Sequence, residues 1–190
     1  MTTAATASQT VGPYFSIGLS YRNSTSVCSE NGPGEHLEIV GRVFDGEGVI
    51  VPDAQLEVWQ ADSEGRFIGF DTGQPGVVAE GFAGFARIPT DRDGGFRLHT
   101  VRPGVVAGPG GVSQAPHIVV LLSMRGLLRH LITRIYFEND ARNAFDPILL
   151  AVPEERRHTL VATLADSQLV KKFQWDIHLQ GDDETVFFAY

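Results

Sequence analysis

Apolar and polar residues alternate with a period of two along much of this 190-residue chain. The clearest stretch is 173–179, FQWDIHL, in which four apolar side chains would share one face of a strand and three polar ones the other. Similar alternation occurs at 37–43, 56–58, 96–100 and 130–137. Because successive side chains of a strand point to opposite faces, this pattern is typical of half-buried strands. We therefore predict an all-β fold, a β-sandwich of mostly antiparallel strands with long loops and minor helix.

One segment, 153–164 (PEERRHTLVATL), favours a short helix. It begins with proline, carries two acids in its first turn, and places Leu160 and Leu164 on one face. Its later residues are β-branched and also favour extended backbone. The helix prediction therefore competes with a strand toward the end of this segment.

Two stretches rich in glycine, serine and proline, 21–34 and 69–84, predict long loops. Long loops in a compact domain usually have a function, and an interface is one such function. No internal repeat or linker interrupts the chain. We predict a single domain over residues 1–190 with an N-terminal arm over about residues 1–34, the segment called the arm below.

Composition limits the classes of partner. The net charge of −8 and the pI of about 5.1 argue against nucleic acid, whose binding proteins carry basic surfaces. The longest apolar run, Ile118–Leu122, is too short to span a membrane. Residues 1–7 lack the charged start and apolar core of a signal peptide, and the single cysteine, Cys28, excludes an intrachain disulfide. These features predict a cytoplasmic location.

The segment 114–120, QAPHIVV, carries one histidine where a strand-borne metal site would use two. Residues two apart on a strand point to the same side, so His-x-His is a natural ligand pair, but Val119 occupies the second place. The segment resembles the Arg-Pro-Ala-His-Ile-His signature of the intradiol ring-cleaving dioxygenases. Members of this family are non-heme ferric enzymes that open catechol rings.

Further blocks carry the same resemblance. Residues 38–45 (EIVGRVFD) and 51–67 (VPDAQLEVWQADSEGRF) are similar to the most recognisable part of the family. Residues 90–96 (TDRDGGF), 100–104 (TVRPG) and 133–137 (TRIYF) continue it. The resemblance runs from about residue 35 to 146, and it implies the intradiol dioxygenase-like β-sandwich.

The resemblance also implies which residues would hold iron. Catalytic chains of the family use two tyrosinates and two histidines, and these places correspond here to Phe67, Val106, His117 and Val119. Three of the four are apolar, and hard ferric iron requires anionic oxygen donors as well as nitrogen. The family's arginine three residues before the first histidine is replaced by Gln114. We expect no metal in this chain and interpret His117 as a buried, hydrogen-bonded remnant.

The N-terminal segment 8–15, SQTVGPYF, resembles a segment found in family members that are built from two homologous chains. In such members the beta chain binds Fe(III), and the alpha chain is a degenerate copy that completes the pocket. The correspondence implies that Thr10, Gly12, Pro13 and Tyr14 line the pocket of a homologous beta chain. It further implies an obligate heterodimer and a higher oligomer of such pairs. The alternative is an ordinary ordered arm with a buried tyrosine.

An arginine in the segment 123–127, SMRGL, is the second residue that the resemblance assigns to the pocket. Alpha chains carry an arginine in this context, so Arg125 would bind the carboxylate of a small aromatic acid. The alternative is a solvated loop arginine beside a turn glycine. Arg134 is a weaker candidate, which we expect to pair internally.

Two functions from different classes therefore stay open. The first is a non-catalytic subunit of a dioxygenase, inactive alone and dependent on a beta chain for catalysis. The second is an orphan β-sandwich that binds a ligand without any catalytic partner, since a fold does not by itself determine an activity. An independent catalyst finds no support in any cluster of candidate residues.

Overall fold

Strands dominate the structure, a computed structural model that describes residues 5–68 and 80–189. Over these residues the strands are β1 His36–Phe44, β2 Gln55–Trp59, β3 Phe85–Pro89, β4 Gly95–Val101, β5 Val106–Ala107, β6 Ser113–Gln114, β7 Ile118–Ser123, β8 Leu131–Phe137, β9 Val161–Asp166, β10 Lys171–Gln174 and β11 Ile177–His178. The α-helices are α1 Pro13–Ile17 and α2 Pro147–Leu150, and 3-10 helices cover Ser20–Arg22, Pro109–Gly111, Ala141–Phe145 and Glu154–Leu160. The all-β prediction is confirmed.

The main strands form two halves that face each other. One half has the order β4-β1-β10-β9 and the other β8-β7-β2-β3, and a short parallel pairing of β8 with β9 joins them. Ile39 and Leu98 of the first half share one buried apolar cluster with Val58, Ile88 and Val120 of the second. The predicted sandwich therefore follows from the burial of two apolar sheet faces against each other.

Most strand pairings are antiparallel, as predicted from the sequence. The exceptions among the described residues are the parallel pairings of β1 with β10 and β11 and of β8 with β9. No helix of the described residues has the length and apolar character needed to cross a membrane.

The stretch 173–179 is not one strand, contrary to the simplest interpretation of its alternation. It contains the end of β10 and all of β11, with a break at Trp175 and Asp176. At the break the Asp176 carboxylate accepts the backbone N–H of Arg42 at 2.8 Å, a bond that a strand carbonyl would otherwise make. A Cβ on Gly41 would lie 1.7 Å from the carbonyl oxygen of Trp175, so this close approach requires glycine.

The helix predicted over 153–164 is only partly correct. A 3-10 helix covers Glu154–Leu160, and the β-branched end of the segment forms β9. The predicted loop over 21–34 contains only isolated bridges, at Ser26 and Cys28, and the start of that loop lies in a 3-10 helix. Most of the predicted loop over 69–84 lies outside the described residues, and its remainder, 80–84, is a turn with one isolated bridge at Phe82.

Candidate functional site

The four degenerate ligand positions, Phe67, Val106, His117 and Val119, are called the degenerate region below, together with the polar residues packed beside them, Gln114, Arg134, Tyr136 and Asp146. Phe67 lies edge-on to Trp59 of β2, with ring centroids 6.2 Å apart. Trp59 is in turn the Cα partner of Val119 in the neighbouring strand β7. Folding of 51–67 against β7 therefore brings together two positions that are far apart in sequence.

Strands β5 and β6 bring Val106 to the same place. Val106 is the Cα partner of Gln114, and the Gln114 Oε1 accepts a hydrogen bond from the Arg134 Nη1 at 2.7 Å. Arg134 lies in β8 directly opposite Val119. The expectation that Arg134 pairs internally is confirmed. Gln114 stands where the family would carry an arginine. It accepts a hydrogen bond from a different arginine, the buried Arg134.

His117 lies just before β7 and is 6% exposed. Its Nδ1 donates to the carbonyl oxygen of Ala115 at 2.7 Å, and its ring centroid is 5.8 Å from that of Tyr136. Burial, and after it the positive charge of Arg134, lower the pKa of His117 to about 4. His117 is therefore a neutral, buried, hydrogen-bonded imidazole, as its interpretation as a remnant requires.

The buried carboxylate of Asp146 connects several elements of this region through hydrogen bonds. Asp146 is 0% exposed and accepts from the N–H groups of Ala115, Ile148 and Leu149 at 2.8 to 2.9 Å. It also accepts from the Tyr136 hydroxyl at 3.1 Å. Burial raises the pKa of Tyr136, so this phenol stays protonated and can serve as the donor. A carboxylate with this many donors stabilises its own charge and cross-links β8, the segment before β7 and α2.

Sequence analysis missed Asp146 as a central residue. Its signal is the Asp146-Pro147 pair, an N-cap residue followed by proline at the first helical position, which predicts the start of a short helix. Nothing in that pattern indicates full burial or the hydrogen bond to Tyr136.

These residues do not fit a ferric ion. The side chains of Phe67, Val106 and Val119 carry no atom that coordinates a metal, and one ring nitrogen of His117 is already engaged. Within 5–68 and 80–189 no group of three or more His, Cys, Asp or Glu side chains is arranged to hold a metal ion. Chemically, the degenerate region can pack and form hydrogen bonds, and its phenol, Tyr136, already donates to Asp146.

The other predicted site residues lie on the arm and on a turn that it touches. The Thr10 Oγ1 accepts from the backbone N–H of Gly126 at 2.9 Å and donates to the carbonyl oxygen of Met124 at 3.4 Å. Arg125 lies between these two residues. The structure therefore brings Thr10 and Arg125, which are 115 positions apart in sequence, to the same edge of the molecule.

The middle of the arm forms α1. Gly12 is its N-cap, with its carbonyl oxygen accepting from the Phe15 N–H at 2.9 Å, and Pro13 occupies the first helical position, where no N–H is needed. Tyr14 is 82% exposed. Tyr14 is therefore not buried within this chain, contrary to that part of the alternative.

Arg125 presents its guanidinium to solvent, with 84% of the side chain exposed. Its Nε forms an ion pair with the Asp53 Oδ2 at 3.0 Å. Exposed pairs of this kind are weak, typically about 0–1 kcal/mol, so the guanidinium is available to another partner. The alternative of a solvated loop arginine describes the isolated chain equally well.

Comparisons with known proteins identify the family of this chain. A family model described as dioxygenase matches residues 10–181. The protocatechuate 3,4-dioxygenase alpha chain of Burkholderia cepacia is 44% identical, with 96% of each chain covered, and that of Pseudomonas putida is 41% identical, with 97% of this chain and 96% of its own covered. The Burkholderia cepacia beta chain is 31% identical over 80% of this chain and 67% of its own length.

Solved structures show the same fold. The dioxygenase domain from Streptomyces sp. SirexAA-E superposes with a TM-score of 0.61 at 26% identity, covering 86% of this chain and 89% of that one. The 3-chlorocatechol 1,2-dioxygenase of Rhodococcus opacus gives a TM-score of 0.66 at 22% identity, covering 83% and 66%, and this likeness concerns the fold alone.

Proposed function

Since the chain belongs to the intradiol dioxygenase family, we propose that it is the alpha chain of a protocatechuate 3,4-dioxygenase. The assembled enzyme would add both atoms of O2 across the bond between the two hydroxylated carbons of 3,4-dihydroxybenzoate, which gives 3-carboxy-cis,cis-muconate. Full-length identity to two alpha chains, higher than the identity to a beta chain, supports the assignment to alpha.

The ferric ion of the assembly would be bound by the homologous beta chain and by no residue of this chain. The support is chemical, because Phe67, Val106 and Val119 offer no donor atoms and the Nδ1 of the buried His117 is bonded to the Ala115 carbonyl. This chain is accordingly inactive alone, and the beta chain is its obligate partner.

The observation that carries the role of this chain is the exposure of Tyr14 and Arg125 on an edge where Thr10 fastens the arm to the 124–126 turn. Gly12, Pro13 and Tyr14 would form a wall of the partner's pocket, with the phenol ring as an apolar surface and its hydroxyl as a polar tip. Arg125 would exchange Asp53 for the substrate carboxylate, which a planar guanidinium binds through two parallel hydrogen bonds.

The test is iron content and visible absorbance, measured on this chain alone and after co-expression with the homologous chain that retains Tyr, Tyr and His-x-His. We expect a colourless, iron-free chain and a red complex that cleaves protocatechuate. Stoichiometric iron or ring cleavage by the chain alone would contradict the assignment of Phe67, Val106 and Val119 to the ligand places. A chain that binds aromatic acids but forms no complex would instead support the orphan β-sandwich.

A further inference from the structure

Arg87 in the edge strand β3 is a buried arginine whose role the sequence motifs do not explain. Its side chain is 3% exposed, and its Nε forms an ion pair with the Oε1 of Glu57 at 3.2 Å, across from it in β2. Burial of a guanidinium is costly unless its donors are satisfied, so the positions of its remaining N–H groups are informative.

Those remaining donors bind the arm. The Arg87 Nη2 donates to the carbonyl oxygen of Phe15 at 2.6 Å, and Nη1 donates to the carbonyl oxygen of Leu19 at 3.3 Å and the Oδ1 of Asn23 at 3.1 Å. The guanidinium carbon also lies 4.5 Å from the centroid of the Phe15 ring, within the range of a cation–π interaction. One side chain therefore contacts the arm at three residues that follow Tyr14, namely Phe15, Leu19 and Asn23.

Near α1 the arm is also bonded through its backbone, since the N–H of Ser24 donates to the carbonyl oxygen of Arg87 at 2.9 Å, but α1 itself buries no residue. This helix has five residues, none of which is buried, and helices of that length are not stable without external contacts. The carbonyl groups at the end of a helix lack partners within the helix, and Arg87 supplies a donor to one of these, that of Phe15, and another to the carbonyl of Leu19 just beyond α1. Thr10 fastens the arm before Tyr14 and Arg87 fastens it after Tyr14.

We propose that Arg87 is a positioning residue for the substrate pocket, one that holds Tyr14 in register with Arg125 without touching substrate. This inference rests on the proposed function, because it assumes that Tyr14 lines the pocket of the partner chain. The hydrogen bonds between Arg87 and the arm do not depend on that assumption, so the two can be tested separately.

The first experiment measures hydrogen exchange of the arm amides in the isolated chain. Arg87→Met removes the donors but keeps an unbranched apolar stem, and Glu57, with 32% of its side chain exposed, can be solvated. We expect exchange at residues 15–24 to become at least about tenfold faster, since hydrogen bonds to charged groups are lost, while β7 is unchanged. The matched control is Arg97→Met, an arginine of β4 that pairs with Glu38 of β1. Unchanged exchange in Arg87→Met would overturn the proposal.

The second experiment measures kinetics of the complex with the beta chain. We expect Arg87→Met to raise KM for protocatechuate several-fold, by no more than Tyr14→Ala does, with a smaller change in kcat and with iron content unchanged. Arg87→Lys should not rescue KM, since an ammonium cannot reproduce the fork of donors. In a Tyr14→Ala background the same substitution should have little further effect, because Arg87 acts through Tyr14.

The outcomes separate the two ideas. Faster arm exchange with an unchanged KM overturns the positioning role while the alpha-chain function stands. A wild-type chain that forms no active complex overturns the proposed function and with it the pocket role, although exchange still tests whether Arg87 holds the arm. If Arg87→Met does not fold, Phe15→Ala and Asn23→Ala remove partners from the arm side, and both must loosen residues 15–24 for the proposal to stand.

Discussion

The degenerate region and the arm edge, which is the exposed surface that carries Thr10, Tyr14 and Arg125, differ in how their polar groups are satisfied. In the degenerate region the imidazole of His117 and the carboxylate of Asp146 are buried and bonded to groups of the same chain. On the arm edge, Tyr14 and Arg125 are more than four-fifths exposed, and the one ion pair described for these two side chains, between Arg125 and Asp53, is itself exposed. The polar groups of the first region are satisfied within the chain, and those of the second are left largely to solvent.

The contrast separates a region that supports the fold from one that is free to serve a partner. Beside the apolar ligand positions, Arg134, Tyr136 and Asp146 form an internal hydrogen-bonded network. Unsatisfied polar groups in that network would destabilise the fold, whereas exposed groups on the edge cost little. Substitutions in the first region should therefore affect stability, and substitutions in the second should affect the assembled enzyme.

The largest effect should come from Asp146→Asn. The amide turns a donor toward N–H groups from which the Asp146 carboxylate now accepts, and buried donors are left without acceptors, so the free energy of unfolding should fall by about 3 kcal/mol or more. Urea unfolding measures this change. The control is Asp91→Asn, since Asp91 also accepts backbone N–H groups but in an exposed hairpin, and it should cost less than about 1 kcal/mol. Equal costs would mean that burial of the network is not what distinguishes the two regions.

A pH titration of stability sharpens the same comparison through His117. Its folded pKa of about 4 lies below the unfolded value of 6.5, so the unfolded chain binds the proton more readily. The resulting stability is fully present above pH 6.5 and is lost as the pH falls toward 4, by about 3 kcal/mol. His117→Gln should flatten this part of the curve relative to wild type. Parallel curves for the two proteins would contradict a buried neutral imidazole.

On the arm edge, Arg125→Ala should leave stability unchanged and alter the assembled enzyme. Loss of a charge-assisted hydrogen bond should raise KM for protocatechuate by about tenfold to a hundredfold, and KM for catechol, which has no carboxylate, far less. Steady-state kinetics with both substrates measure the difference, with the exposed loop arginine Arg92 replaced by Ala as control. An equal change for both substrates would remove Arg125 from the carboxylate.

The smallest effect should come from Tyr14. Tyr14→Ala should lower kcat/KM several-fold, while the unfolding free energy of the isolated chain stays within about 0.5 kcal/mol, because the ring is exposed there. Tyr14→Phe separates the hydroxyl from the ring. Iron content of the complex should be unchanged in both variants, and its loss would mean that Tyr14 acts on assembly rather than on the pocket.

Much of the fold was predictable because alternation reports burial of one face directly. Ile39, Leu98 and Val58 lie in the core as their alternation predicts. The alternation of 173–179 also gave the buried face correctly, with Trp175 and Ile177 in the core, but not the break between β10 and β11. That break depends on the Asp176 carboxylate accepting the Arg42 N–H, a contact between residues 134 positions apart.

The candidate site was predictable only where the type of a residue by itself decides what its side chain can bind. Phe67, Val106 and Val119 cannot bind iron in any fold, so the loss of a metal site could be inferred from the residues alone. Thr10 and Arg125 could be named separately, but their meeting through Gly126 could not. No sequence motif marks Arg87. Its contacts are with carbonyl groups of a segment about seventy positions away, which the sequence around Arg87 does not indicate.

By itself, the sequence determined which side chains face a core and which positions lack donor atoms, since hydrophobic periodicity and ligand chemistry are local properties. The tertiary structure decided which polar groups meet. It brought the Tyr136 hydroxyl to the Asp146 carboxylate in the degenerate region, and it placed Tyr14 and Arg125 on one exposed edge. The physical reason is that hydrogen bonds and ion pairs act over a few ångströms between residues whose separation along the chain says nothing about their distance in space.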